Sequence, residues 1–362
     1  MTADALVIGG GPGGSTVAWR LARARARVLV LDAATFPRVK LCAGWVTRRA
    51  LADLELEPRD YPHTIQPFAS VTIGVDGREH ATGWDQTVSY GIVRAEFDTF
   101  LLRRAASAGA HVREGLRVRD VRADADGITV DADGEQVRAP LVIGAGGHGC
   151  PVARALGDAD ADEDVVVTQE SETRVGADRL RALTRRHGTP ELFAEPDFRG
   201  YGWYFTKGDF LNVGIGALGG LPIRERLARL LARLRGDGRL PADLPLTAFR
   251  GHAYRVRRGR PRRLAGERFM LVGDAAGLAR DVSGEGIGPA VESALLAAAA
   301  ALDGRPAAYE ERIARTFGRP DRGLARLTRH IPESIVIGLA RLACTRPGLR
   351  RRLVLEGAFG MG

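Results

Sequence analysis

Lysine is almost absent from this 362-residue chain, standing only at Lys40 and Lys207, so its positive charge is carried by arginine. The Arg residues behind the formal net charge of +9 are scattered through candidate helices and loops, which reads as a solvated basic face and a coding preference. Nucleic acid is not an expected partner; an anionic substrate group or an anionic membrane surface is compatible. Cysteine is scarce too. Cys42, Cys150 and Cys344 lie too far apart for a metal spacing and are too few for a disulfide framework, so no metal is expected and a reducing, cytoplasmic compartment is. Long apolar runs are also missing: ALLAAAAAL (294–302) and IVIGLARLAC (335–344) fall short of the roughly 20 residues a spanning helix needs. A first strand that begins near residue 4 leaves no room for a signal peptide. Neither an internal repeat nor a low-complexity linker is visible. The length predicts two intimately joined domains, since single cores stop growing at roughly 250–300 residues.

Glycine, by contrast, is abundant and clustered. Residues 5–14 read ALVIGGGPGG, an apolar strand running into Gly9, Gly11, Pro12, Gly13 and Gly14, followed by an Ala/Leu-rich helix and a second strand, VLVLD, ending at Asp32, with Ala33 next. Unpaired N–H groups at a helix start can hold a pyrophosphate if no side chain blocks them, and Asp32, 18 residues after Gly14, can accept from ribose hydroxyls. The same glycine spacing occurs at Gly144, Gly146 and Gly149 and again at Gly214, Gly216 and Gly219. Neither copy has the complete context. Gly149 runs into Cys150 and Pro151 with no βα unit after it, and the Gly214 copy, between a strand and a helix, has no second strand ending in an acid.

A further apolar strand, RFMLVGD, ends in Gly273 and Asp274 and feeds a Gly-rich turn, with Gly284, Gly286 and Ile287, before a helix. A carboxylate there can hold the ribitol hydroxyls of a flavin while the helix end faces the pyrimidine side of the ring. Taken alone, Asp274 would read as a helix N-cap. With the first motif it argues for FAD. The expected fold is therefore α/β: a Rossmann-type FAD-binding parallel sheet with an inserted antiparallel-sheet substrate domain and a helical C-terminal tail. The FAD domain takes residues 1–155, with a mixed insertion at 36–90, and resumes at 261–330. Alternating strand patterns with one amphipathic helix, IRERLARLLARLR, assign 156–260 to the substrate domain, and 331–362 form the tail. Apolar APLVIGAGG reads as a buried strand returning to the parallel sheet.

Together these segments resemble the geranylgeranyl reductase family of the p-hydroxybenzoate hydroxylase-like flavoproteins, over nearly the whole chain. GGGPGGSTVAWRLA is similar to its FAD motif, and IVRAEFDTFLLRRAASAGA to its V-R-x-x-F-D helix start, where the resemblance implies that Arg94 reaches the cofactor. Lys40, Cys42 and Gly44 match its K-x-C-G-G segment, with Ala43 for the first glycine. Tyr201, Trp203, Phe205, Asn212, Val213, Gly214 and Gly216 match its Y-x-W-x-F-P strand and N-V-G-x-G continuation, and GDAAGLARDVSGEGIGPA its G-D-A-A-G…G-E-G-I block. The chain departs from the pattern at Thr206 and Asp281, where Pro is usual, and at Gly146, where Asp is common.

The resemblance implies reduction of C=C bonds in a prenyl or polyene substrate by hydride from reduced flavin N5. By period two, Tyr201, Trp203 and Phe205 share one strand face and could wall an apolar slot, or simply fill the sheet core. Cys42 is a candidate near the flavin, as a thiol or as a shaper of its surroundings, and equally an inert buried cysteine. Lys40 could lower the Cys42 pKa or bind a phosphate. Asp281 is a second candidate acid, and equally a turn residue. With no second nucleotide domain visible, NAD(P)H would bind transiently, and ferredoxin or another electron-donor protein is an alternative. Residues 335–362 could touch a membrane surface or pack on the cofactor lobe. A competing reading keeps FAD but uses O2, as a monooxygenase or halogenase on an aromatic or polyketide-like substrate, with Lys40 as relay; the halogenase W-x-W-x-I-P strand is absent. A flavin-binding partner protein without catalysis is a third.

Overall fold

A computed structural model describes residues 3–157, 165–256, 263–318 and 332–361. Parts of the expected domain boundaries lie outside them.

The apolar runs ALVI and VLVL are buried along their whole length, as central parallel strands require. They sit in a five-stranded parallel sheet ordered Phe269–Leu271, Val142–Gly144, Ala5–Ile8, Val28–Asp32, His111–Glu114. Two strands far apart in sequence thus return beside the first. Helix Pro12–Arg23 packs on the Ala-rich helix Ile287–Leu302, and a Cβ added at Gly13 would meet the Ala290 carbonyl oxygen at 3.3 Å. Small residues permit that approach. Strands Val118–Ala123, Ile128–Ala132 and Glu135–Ala139 form a separate meander; its two-residue turn has positive φ at both Asp133 and Gly134, the geometry that suits the twist of a tight hairpin.

The second large sheet has seven strands in the order Arg250–Arg255, Val165–Arg174, Phe210–Leu218, Gly200–Lys207, Glu191–Ala194, Ser70–Val75, Arg78–Gly83. It differs from the expectation in two ways. Its last two strands come from the 36–90 segment, and the pair Glu191–Ala194 with Ser70–Val75 is parallel, the other pairs antiparallel. A short apolar strand such as VTIGV carries no mark of which sheet it joins. The helix Ile223–Gly236 buries Leu227, Leu230 and Leu234 on one sheet face, where Leu230 covers Gly202. Alternation then turns Tyr201, Trp203 and Phe205 to the opposite face.

The tail adds helix Glu333–Thr345 and a π-helical segment, Arg350–Ala358. Among the described residues no helix is long and apolar enough to cross a membrane.

Candidate functional site

A cavity of about 1190 Å³ runs from the first glycine turn, between the two large sheets, to the C-terminal tail. At its inner end Gly9 has φ +108°, and a Cβ there would meet the Ala145 carbonyl oxygen at 2.5 Å. At Gly14 a Cβ would stand 1.8 Å from the Gly9 oxygen, so the helix can lie against the turn only with glycine. Gly11 faces open cavity. It is the N-cap of helix Pro12–Arg23, which has no side-chain cap and no acid in its first turn, leaving N–H donors for an anion. The Asp32 carboxylate accepts from the Gly10 and Ala34 N–H groups at 2.6 and 2.7 Å and lines the cavity beside Ala33.

Asp274 follows strand Phe269–Leu271 through Gly273, whose φ is +59°. Its carboxylate lines the cavity, accepts no hydrogen bond among the described residues, and is raised in pKa by burial against the opposing pull of Lys40, Arg94 and His148. Gly286 and Ile287 open helix Ile287–Leu302, again without a side-chain cap. Gly284 lies under Tyr254: a Cβ there would sit 2.2 Å from the phenol oxygen. Buried Trp45 Nε1 and His148 Nδ1 also lack partners among the described residues, and both side chains line the cavity. A close-approach glycine turn, an uncapped helix start, an unpartnered carboxylate and idle donors fit a dinucleotide with a polyhydroxyl arm.

Arg94, which the resemblance assigns to the cofactor, lines the cavity. Its Nε and Nη2 donate to Asp98 at 2.8 Å each, and Asp98 also pairs with Arg38 at 3.1 Å. Lys40 Nζ meets His252 Nε2 at 2.6 Å. Burial, then Arg94, lowers the Lys40 pKa, and burial followed by Lys40 pushes His252 down to about 4, so the imidazole is neutral. Cys42 Sγ accepts from the Gly44 N–H at 3.4 Å on the same cavity wall. Asp281 is exposed at the rim.

Tyr201, Trp203 and Phe205 all line the cavity. The Tyr201 hydroxyl donates to the Ser283 carbonyl, tying this strand to the Gly-rich loop, and Trp45 packs edge-on to Phe205 with ring centres 5.6 Å apart. The glycine pattern at Gly214 is part of this wall and has nothing to do with nucleotides. Gly214 lies inside strand Phe210–Leu218, and a Cβ there would be 2.3 Å from Trp203 Cζ2. The copy at Gly144–Gly149 leads into a six-residue helix, Pro151–Leu156, and its residues 145–149 line the cofactor end.

Sequence motifs missed Glu170 and His252, which alternate into the cavity from the seven-stranded sheet, and the tail residues Val336, Ile337, Val354 and Phe359 that close its apolar end. The only signal available was polar residues at period two in VVVTQESETR and RGHAYR.

Fold and site together define a flavin-dependent oxidoreductase. The family described as FAD binding domain matches residues 2–303, and the chain belongs to it, among the geranylgeranyl reductase-like members. It is 30% identical to a menaquinone reductase of Mycobacterium tuberculosis over 352 residues, covering 88% of this chain and 81% of that one. It is likewise 30% identical over 334 residues to a geranylgeranyl diphosphate reductase of Rhodobacter capsulatus, covering 85% and 78%. In structure it is similar to a geranylgeranyl bacteriochlorophyll reductase-like protein of Thermoplasma acidophilum, with a TM-score of 0.79, 22% identity and coverage of 97% and 98%. The halogenase PltM bound to phloroglucinol and FAD gives a TM-score of 0.66 at 16% identity, covering 96% and 78%. These two solved structures share the fold.

Proposed function

We infer that the protein reduces C=C bonds in a prenyl or related polyene chain. The observation that carries this reading is the continuity of the cavity: a polar, glycine-lined cradle opens directly into an apolar slot walled by Tyr201, Trp203, Phe205, Ile73 and Leu192 and closed by the tail. Such a slot binds an extended hydrocarbon by excluding water along its length. Gly9, Gly11, Pro12, Gly13, Gly14, Asp32 and Ala33 would hold the adenylate and pyrophosphate of FAD, and Gly273, Asp274, Gly284, Gly286 and Ile287 the arm and ring. Reduced FAD, when bound, supplies a hydride to a carbon at contact distance. Residues 1–155 without strands Ser70–Val75 and Arg78–Gly83, together with 261–330, would serve the cofactor, and those two strands, 156–260 and the tail the substrate.

NAD(P)H or a ferredoxin-type carrier would recharge the site. The tail supports delivery from a membrane surface: Ile335, Leu339 and Leu342 are exposed on helix Glu333–Thr345, Arg346 stands at its C-terminal end, and Ile337, Ala340 and Cys344 of the same helix line the cavity. An anionic bilayer matches that face in polarity and charge.

The oxygen-using alternative draws on Lys40, whose amine faces the cavity. Anaerobic incubation of the dithionite-reduced protein with geranylgeranyl diphosphate, followed by mass spectrometry, separates the two. The expected product is heavier by one H2 per reduced bond. Oxygen uptake coupled to an aromatic substrate, with no hydrogenated prenyl product, would overturn the reductase reading.

A further inference from the structure

Hydrogenating an alkene takes a proton as well as a hydride, and the family motifs do not name its donor. Midway along strand Val165–Arg174, Glu170 lines the cavity at 2% exposure. Its cross-strand neighbour is Gly214, where the missing side chain lets the Trp203 ring lie against it: a Cβ at Gly214 would be 2.3 Å from Trp203 Cζ2 and 2.8 Å from Glu170 Cβ.

The nearby polar groups are committed elsewhere. Trp203 Nε1 donates to Asn212 at 2.6 Å, Lys207 Nζ donates to Glu172 and to the Ala43 carbonyl, and Arg94 is taken by Asp98. Glu170 pairs with no cation among the described residues, and the Cys42 backbone N–H is the donor facing it. Three other cavity acids are placed differently. Glu285 pairs with Arg280 at 2.8 Å, Asp281 is exposed, and Asp274 stands at the cofactor end beside Lys40.

We propose that Glu170 is the proton donor to a substrate held in the apolar half of the cavity, an assignment that rests on the reductase reading above. One olefinic carbon takes the hydride that reduced flavin supplies, and the other takes the Glu170 proton. The π bond, the hydride donor's N–H bond and the Glu170 O–H bond break and two C–H bonds form; the alkene is reduced by two electrons, the reduced flavin would be oxidised by two, and the carboxylate recovers its proton from water. Burial, with Glu172 assisting and Lys207 opposing, pushes the Glu170 pKa up to about 7, so the acid carries its proton at neutral pH.

The test uses the full-length FAD-loaded protein as wild type, Glu170→Gln and Glu170→Asp, with geranylgeranyl diphosphate as probe under anaerobic dithionite reduction. Glu170→Gln should bind FAD and bleach as the wild type does, yet form hydrogenated product at least about 100-fold more slowly, with partial recovery in Glu170→Asp. Independently of turnover, the infrared difference between wild type and Glu170→Gln, recorded without FAD, should show a protonated carboxyl band that disappears as pH rises through about 7. Product formation by Glu170→Gln within about threefold of wild type, or an ionised carboxylate at about pH 5.5, overturns the assignment alone. Wild type inert toward the probe overturns the reductase reading, and the donor role with it.

Discussion

Gly14 and Gly11 belong to one motif but do different physical work, and alanine at each should separate the two. At Gly14 the added Cβ would lie 1.8 Å from the Gly9 oxygen and 3.1 Å from the Ala145 Cβ, the first about half of an ordinary carbon contact. Neither obstacle can swing aside. The Gly9 N–H is bonded to the Leu31 carbonyl and the Ala145 N–H to the Ile8 carbonyl, both at 2.8 Å, so helix Pro12–Arg23 must move off the sheet instead. Overpacking of this kind costs about 3 kcal/mol. At Gly11 the nearest atom to a new Cβ is the tip of Arg38 at 3.3 Å, and its φ of −71° suits alanine. Gly11→Ala should therefore leave the FAD-free protein at least as stable as the wild type, within about 1 kcal/mol. Its methyl would still occupy the approach to the helix N–H groups and weaken FAD by about tenfold or more, roughly 1.4 kcal/mol. Denaturant unfolding of the FAD-free proteins, paired with fluorimetric FAD titration, reads both quantities. A Gly14→Ala protein that unfolds like the wild type, or a Gly11→Ala protein with undiminished FAD affinity, would refute the reasoning.

Three further outcomes follow from the geometry. Gly214→Ala should displace the Trp203 ring and lose binding of the geranylgeranyl chain while keeping its flavin; unchanged lipid binding by tryptophan quenching would count against the slot. Two groups in the cavity wall should tilt stability in opposite directions with pH. His252, lowered from 6.5 to about 4, stays neutral in the fold while the unfolded chain takes a proton, so stability falls as pH drops from 6.5 toward 4. Glu170, raised from 4.5 to about 7, contributes fully below 4.5 and loses its contribution as pH rises through 7. His252→Gln should flatten the acidic limb of the stability curve and Glu170→Gln the neutral one, and a limb left unchanged would refute the matching shift. Leu339→Glu should reduce sedimentation with anionic phosphatidylserine vesicles but spare FAD binding; equal sedimentation would remove the tail from the membrane argument.

What could be read from the chain was what local backbone geometry dictates. The βαβ unit at 4–32 is legible because a close turn, a helix start and an acid at the next strand end must recur at fixed spacing, and they involve neighbours in sequence. Tyr201, Trp203 and Phe205 are legible for the same reason, since period two alone puts them on one face. The tail's part in closing the cavity, and the passage of strands Ser70–Val75 and Arg78–Gly83 into the far sheet, depend on long-range pairing that a short apolar run does not encode.

The repeated glycine pattern shows where that boundary falls. At Gly9 it answers a positive φ and a close carbonyl, at Gly144 the crowding of Leu271 and Val152 against a strand end, and at Gly214 the room taken by an indole. One spacing therefore has three causes, and only the first concerns a helix start presented to an anion. The third had to be seen in cross-strand register before its consequence was visible: without a side chain at Gly214, the Trp203 ring lies over the strand next to Glu170, which is buried and faces one backbone donor. An acid in such surroundings keeps its proton to near neutral pH. The glycine that looked like a stray nucleotide motif thus makes a proton source of a glutamate 44 residues earlier in the chain.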